Sequence, residues 1–169
     1  MNFFKKEEAS CCTVQPASNG HDCCTPQPKG KVECPQCSQE SKGVLGKTLE
    51  YLLTSEAKAR IDCYGGFYYC KTSTCRVIYF RGDEVLTQDD LSVSVGLKDG
   101  AEPANMCYCF GWTKQRIKED LLKNGKSSAI EDIKHNMDTI GCSCEIKNPS
   151  GSCCMGDVTK AVKEIESVR

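Results

Sequence analysis

Cys34-Pro35-Gln36-Cys37, joined further along the chain by Cys70-x4-Cys75, is the stretch that decides the fold. A two-residue gap between cysteines lets both sulfurs face one ion, and four thiolates make a closed tetrahedral site with no position for a substrate. The second pair is predicted to lie at the tip of a hairpin, because Cys70 ends one predicted strand and Cys75 precedes the next. We therefore predict a structural zinc site, with a single iron on the same four thiolates as the alternative.

The residues around these cysteines predict a small α+β zinc-binding module over 32–100. Aromatic and β-branched residues indicate short strands at 66–69 and 76–80, and a third strand at 84–86. Leucines at helical spacing predict a short helix within 46–60. The segment Lys98–Asn105, with its Asp-Gly and Pro, is predicted to be a linker.

Residues 101–169 are predicted to form a second, helical module. Thr113 is a suitable N-cap for a helix over 114–123, which Gly125 ends. A further helix follows Ser127 or Ser128, and a last helix runs from about Met155 to the end of the sequence.

The helical module contains a second set of cysteines, beginning with Cys107-x-Cys109. In an extended segment, residues two apart point the same way with Cα atoms about 6.5 to 7 Å apart, which suits two ligands on one iron. A turn at Asn148-Pro149-Ser150-Gly151 can return the ends of a later loop to one place. The other two ligands are then expected among Cys142, Cys144, Cys153 and Cys154. Rieske-type ligation needs two histidines, and only His21 and His135 are available, so an all-cysteine cluster is favoured.

Together these motifs resemble the CopZ-type proteins. The helical module is similar to their [2Fe-2S] domain, and that domain is similar to bacterioferritin-associated ferredoxin. The upstream cysteines, with the aromatic residues around them, look like the zinc module that precedes the cluster in this family. The resemblance implies that Cys107, Cys109, Cys144 and Cys154 ligate a [2Fe-2S] cluster and that Cys142 and Cys153 are extra thiols near it. We expect Cys107 and Cys109 on one iron and Cys144 and Cys154 on the other.

Residues 1–31 are predicted to be a disordered, cysteine-rich tail, because Pro, Gln, Ser and Gly dominate them and no hydrophobic period is present. The tail carries Cys11, Cys12, Cys23 and Cys24. They are either incidental thiols or a flexible arm that captures a soft metal such as Cu(I). Cys63 is expected to be a spare buried thiol.

Composition excludes several classes of protein. The 22 basic and 23 acidic residues are interspersed, so the basic stripe of a nucleic-acid binder is missing. Neither a signal peptide nor a membrane span is predicted, and a cytoplasmic location is expected. There, most of the 15 cysteines are better explained as ligands than as disulfides.

Three functions fit this pattern. The favoured one is one-electron transfer linked to copper handling, including reduction of Cu(II) to Cu(I), with copper ions or a copper-transport protein as partners. The redox partner is unknown. The alternative is a non-redox, thiol-rich metal chaperone or buffer. A zinc-only adaptor would leave the second set of cysteines unexplained, and no hydrolase motif is present.

Overall fold

A computed structural model describes residues 28–168 of the chain. The strands are β1 (Lys31–Glu33), β2 (Glu40–Gly43), β3 (Tyr68–Tyr69), β4 (Tyr79–Arg81), β5 (Glu84–Leu86), β6 (Asn105–Cys107) and β7 (Trp112–Thr113). The helices are α1 (Gly46–Leu52), α2 (Ser55–Arg60), α3 (Lys114–Asn124), α4 (Ala129–Ile140), α5 (Cys144–Lys147) and α6 (Met155–Ser167). This mixture of helix and strand confirms the predicted α+β class. Within residues 28–168, no helix is both long and apolar enough to cross a membrane.

The first five strands form one antiparallel sheet in the order β1-β2-β3-β4-β5. Strand β3 begins later than predicted, at Tyr68, because Gly66 has a φ of 82°, outside the extended region. Strand β4 begins later than predicted, at Tyr79, because residues 76–78 belong to the loop that carries Cys75. The β1–β2 hairpin was not predicted. Its residues are mostly polar and those of β1 are all exposed, so neither propensity nor alternation marks it.

Helices α1 and α2 pack on this sheet and replace the single helix expected within 46–60. The chain is extended at Leu53 and Thr54, and α2 begins because Thr54 Oγ1 accepts a hydrogen bond from Ala57 N at 3.2 Å. The buried residues of this core are mainly aliphatic and aromatic: Val44, Leu49, Leu53, Ala57, Phe67, Tyr69, Ile78, Tyr79, Leu86, Leu91 and Val95.

The β6–β7 hairpin and three long helices form the second core. Thr113 caps α3 as predicted, with its Oγ1 accepting from Arg116 N at 3.0 Å, and Gly125 ends that helix with a φ of 78°. Helices α4 and α6 follow close to their expected positions. Their buried faces meet β6 and β7 around Met106, Trp112, Ile117, Ala129, Ile133, Val158, Ala161 and Val162. The short helix α5, which starts at Cys144, was not predicted.

The loop after α4 docks on the first core. Tyr79 Oη donates to Pro149 O at 2.6 Å, and Thr48 Oγ1 donates to Glu145 O at 2.6 Å. An ion pair of 2.7 Å joins Lys71, beside Cys70, to Asp157 in α6. The segment with Asn148-Pro149-Ser150-Gly151 is therefore positioned by residues that belong to the sheet and α1.

Candidate metal centres

The first set of cysteines converges at the end of the five-stranded sheet. Cys34 and Cys37 come from the β1–β2 loop, and Cys70 and Cys75 come from the β3–β4 loop. Their four sulfurs all lie within 4.8 Å of one another. The Sγ atoms of Cys34 and Cys75 are 3.8 Å apart, and those of Cys37 and Cys70 are 3.6 Å apart. The structure thus brings together all four residues predicted to hold zinc.

Both loops have a backbone that turns their sulfurs inward. Ser38 N donates to Cys34 O at 2.8 Å and Cys34 N donates to Gln39 O at 3.0 Å, which closes a tight turn with a φ of 56° at Ser38. In the second loop, Cys75 N donates to Thr72 O at 3.2 Å. The group is shielded as well, because Cys34, Cys70 and Cys75 are buried and pack with Val77 and Phe80.

The four sulfurs fit a tetrahedral zinc ion. A zinc–sulfur distance of about 2.3 Å gives a tetrahedron whose edges are about 3.8 Å long. The two close sulfur pairs match this edge length. Burial of three of the four cysteines leaves no open position for a substrate, as in structural zinc sites.

The four thiols differ in acidity. Burial works to raise the pKa of Cys37, but hydrogen bonds with the Thr72 hydroxyl, at 3.3 Å, and with the backbone at Gln39 outweigh it and lower the pKa to about 6. Burial raises the pKa of Cys34, and it raises that of Cys75 to about 12. Metal binding must therefore displace protons from the buried cysteines.

Lys98 supports this centre from the linker. Its Nζ donates to the backbone carbonyls of Cys70, Thr72 and Val77, each at 2.8 Å. Burial lowers the pKa of Lys98, while the four neighbouring cysteines act in the opposite direction. A cation here offsets part of the negative charge that four thiolates and one divalent ion carry together. The sequence did not indicate that Lys98 belongs to this centre, because the carbonyls to which it donates lie far away along the chain.

The second set of cysteines meets in pairs. Cys109 Sγ lies 3.8 Å from Cys144 Sγ, and Cys107 and Cys154 pack in the same buried cluster. Ser143 N also donates to Cys109 Sγ, at 3.4 Å. Among the described residues, these cysteines do not form a four-sulfur group like the first one. The close pairs also differ from the expected arrangement, in which Cys107 and Cys109 bind one iron.

The pairing decides the acidity of these thiols. The neighbouring Cys154 thiol lowers the pKa of Cys107 to about 6, and the Cys107 thiol, together with burial, raises the pKa of Cys154. Burial and the neighbouring Cys109 raise the pKa of Cys144 to about 12. Cys154 is the N-cap of α6, where the helix dipole was expected to favour its thiolate. The pKa of Cys154 is nevertheless raised, because the neighbouring Cys107 thiol and burial both disfavour its thiolate.

Other cysteines and histidines named from the sequence lie apart from these contacts. Cys144 and Cys154 are buried, whereas Cys142 and Cys153 are exposed. Cys63 is half-buried rather than buried, because its Sγ accepts from Arg81 Nη1 at 3.0 Å near the surface. His135 is an exposed residue of α4. The tail cysteines and His21 lie outside the described residues.

Comparison with known proteins places this geometry in a family. Residues 31–92 match a family model, zf_CopZ, described as a zinc binding domain. The copper chaperone CopZ of Archaeoglobus fulgidus is 32% identical over 145 residues, which cover 80% of this chain and 69% of that protein. The X-ray structure of the CopZ N-terminal domain from the same organism superposes with a TM-score of 0.66 at 32% identity, covering 76% of this chain and 96% of that one.

Proposed function

Because the chain belongs to the family of the copper chaperone CopZ, we propose that it handles copper by combining a structural zinc site with a [2Fe-2S] cluster that transfers single electrons. Copper ions, and a copper-transport protein that exchanges them, are its proposed partners. Zinc would be held by Cys34, Cys37, Cys70 and Cys75. The cluster would be held by Cys107, Cys109, Cys144 and Cys154.

One observation carries the cluster proposal: the second set of cysteines is arranged as two close pairs. A two-iron cluster needs two thiolates on each iron. The 3.8 Å separation of Cys109 Sγ and Cys144 Sγ, together with the packing of Cys107 and Cys154 in one buried cluster, supports one pair for each iron. We therefore assign Cys109 and Cys144 to one iron and Cys107 and Cys154 to the other.

A bound [2Fe-2S] cluster exchanges one electron, which is the difference between Cu(II) and Cu(I). The protein contributes burial, since Cys107, Cys144 and Cys154 are shielded from water. Cys109 is only half-buried, so it offers the short path for an electron to the surface. The hydrogen bond from Ser143 N to Cys109 Sγ stabilises the reduced, more negative state and thereby raises the reduction potential.

Metal and sulfide analysis of anaerobically purified protein tests the proposal first. We expect two irons, two sulfides and one zinc per chain, with a visible absorption that dithionite bleaches. Zinc without inorganic sulfide, even after attempted reconstitution, would overturn the cluster and leave a non-redox, thiol-rich metal chaperone or buffer.

The copper reaction is tested by mixing the dithionite-reduced, desalted protein with one equivalent of Cu(II) under anaerobic conditions. The expected result is reoxidation of the cluster with formation of Cu(I), measured with a chromophoric Cu(I) chelator. Cys144→Ser, which should lack the cluster, is the control. Absence of both reoxidation and Cu(I) in the intact protein would contradict the electron-transfer function.

A further inference from the structure

Two exposed cysteines beside the second centre have no part in the sites described so far. Cys142 and Cys153 both face solvent, and each lies close in sequence to a buried cysteine of the proposed cluster site. Cys142 lines the same cavity as Cys144, a proposed cluster ligand two residues further along the chain. Their exposure sets them apart from the shielded thiols and makes them accessible to an incoming metal ion.

Cys142 and Cys153 line the same cavity, which has a volume of about 530 Å³. The half-buried Met137 of α4 also lines it, so the wall carries a thioether in addition to the two thiols. The exposed rim keeps this space open to solvent, unlike the closed zinc centre. A site that exchanges a metal with another molecule needs this kind of access, whereas a structural site does not.

The charges around the cavity favour a soft metal. Lys47 and Glu145 are its charged lining residues, and they form an ion pair with each other. The Glu145 carboxylate is thus already partnered, which leaves sulfur as the main donor. Thiolates and thioethers select Cu(I) over hard cations, and oxygen-ligated ions such as Mg²⁺ or Ca²⁺ would find few ligands here.

We propose that Cys142 and Cys153 form a binding site for one Cu(I) ion at the mouth of this cavity, with the Met137 thioether as an additional donor. The site rests on the proposed copper-handling function and names the residues that receive the metal. It would hold copper next to Cys144, and so beside the proposed source of electrons, before the ion passes to the tail thiols or to a partner.

The test uses the full chain with Cys11, Cys12, Cys23 and Cys24 replaced by serine, so that the tail cannot bind copper. Cu(I) is titrated anaerobically in competition with a chromophoric Cu(I) chelator. We expect one tightly bound Cu(I), an affinity at least about 100-fold weaker in Cys142→Ser and in Cys153→Ser, and no change in the matched control Cys63→Ser. An unchanged affinity in the double variant Cys142→Ser/Cys153→Ser would overturn the site.

Alkylation of the same protein, read by peptide mass spectrometry, reports each cysteine separately. One equivalent of Cu(I) should protect Cys142 and Cys153 together, and continued alkylation of either would overturn the site. This readout also separates the two proposals. If the protein lacks iron and sulfide but Cu(I) still protects both cysteines from alkylation, the cluster proposal is refuted and the copper site stands. If the protein holds a cluster but Cu(I) protects neither cysteine, only the copper site is refuted.

Discussion

Burial distinguishes cysteines that are nearly equivalent in sequence. Cys142 and Cys144 are two residues apart, but only Cys144 is buried and lies 3.8 Å from Cys109. We predict that Cys144→Ala loses the cluster while Cys142→Ala retains it, measured as iron and sulfide per chain together with visible absorption. The opposite pattern would transfer the ligand assignment to Cys142. Unchanged zinc content in both variants is the control for folding.

Lys98 provides a second prediction on a single residue. Lys98→Met removes a cation that donates to three carbonyls around the zinc cysteines and leaves those carbonyls without that donor. The variant should lose about 2 kcal/mol of unfolding free energy and release zinc faster to a chelator. The measurements are denaturant unfolding and the rate of zinc transfer. Lys134→Met, at an exposed position of α4, is the matched control, and equal zinc release from both variants would contradict the role of Lys98.

The zinc cysteines, the second set of cysteines and Lys98 differ in how far they could be predicted from the sequence. The spacing of Cys34 and Cys37 follows from the geometry of one tetrahedral ion, so the sequence predicted that four cysteines would gather. Spacing alone did not decide whether Cys142 or Cys144 is a ligand, because the choice depends on which sulfur the packed helices cover. Lys98 could not be found at all, since its function arises from contacts with carbonyls that become its neighbours only after folding.

At the scale of elements, the loop from Asn148 to Gly151 packs on the first core just before Cys153 and Cys154. Gly151 has a φ of 64°, and a Cβ atom there would lie 2.8 Å from Thr48 Oγ1 and 3.1 Å from Val44 Cγ2. Gly151→Ala should therefore push the loop away from α1, reduce cluster occupancy and lower the unfolding free energy. Iron content and denaturant unfolding are the measurements.

Gly125→Ala is the matched control for the loop, because Gly125 also has a positive φ, of 78°, but nothing lies within 4 Å of its added Cβ. It should cost about 1 kcal/mol from backbone strain alone and keep the cluster. The loop variant should cost at least about 1 kcal/mol more, since it adds a steric clash. Equal losses in the two variants would show that close packing on α1 is unimportant.

The ends of a helix were predicted correctly where capping residues form hydrogen bonds with nearby backbone groups. The caps at Thr113 and Gly125 set the ends of α3 because they satisfy backbone groups within a few residues. The break between α1 and α2 was missed, although Thr54 is a good N-cap, because continuous leucine spacing suggested one helix. The β1–β2 hairpin was missed because zinc-site geometry, rather than strand propensity, accounts for it.

At the scale of the whole molecule, we expect the zinc centre and the proposed cluster site to depend on each other unequally. The β3–β4 hairpin contains Cys70 and Cys75. Lys71, in its loop, forms an ion pair with Asp157, and Tyr79, in β4, donates a hydrogen bond to Pro149 O. Loss of zinc should therefore release contacts that hold Pro149 and Asp157, on either side of Cys153 and Cys154. The reverse dependence should be weaker, since all four zinc cysteines lie on the β1–β2 and β3–β4 loops of one sheet.

This asymmetry gives the last prediction, which compares Cys70→Ser with Cys109→Ser. Cys70→Ser should lose zinc, lower the unfolding temperature by roughly 10 °C or more, and shorten the lifetime of any cluster that assembles, because a structural zinc ion contributes directly to folding. Cys109→Ser should lose the cluster but keep one zinc per chain, because no zinc ligand depends on that thiol. Metal analysis, visible absorption and thermal unfolding of both variants decide the question. A Cys70→Ser protein whose cluster lasts as long as the wild-type cluster would show that the centres are independent.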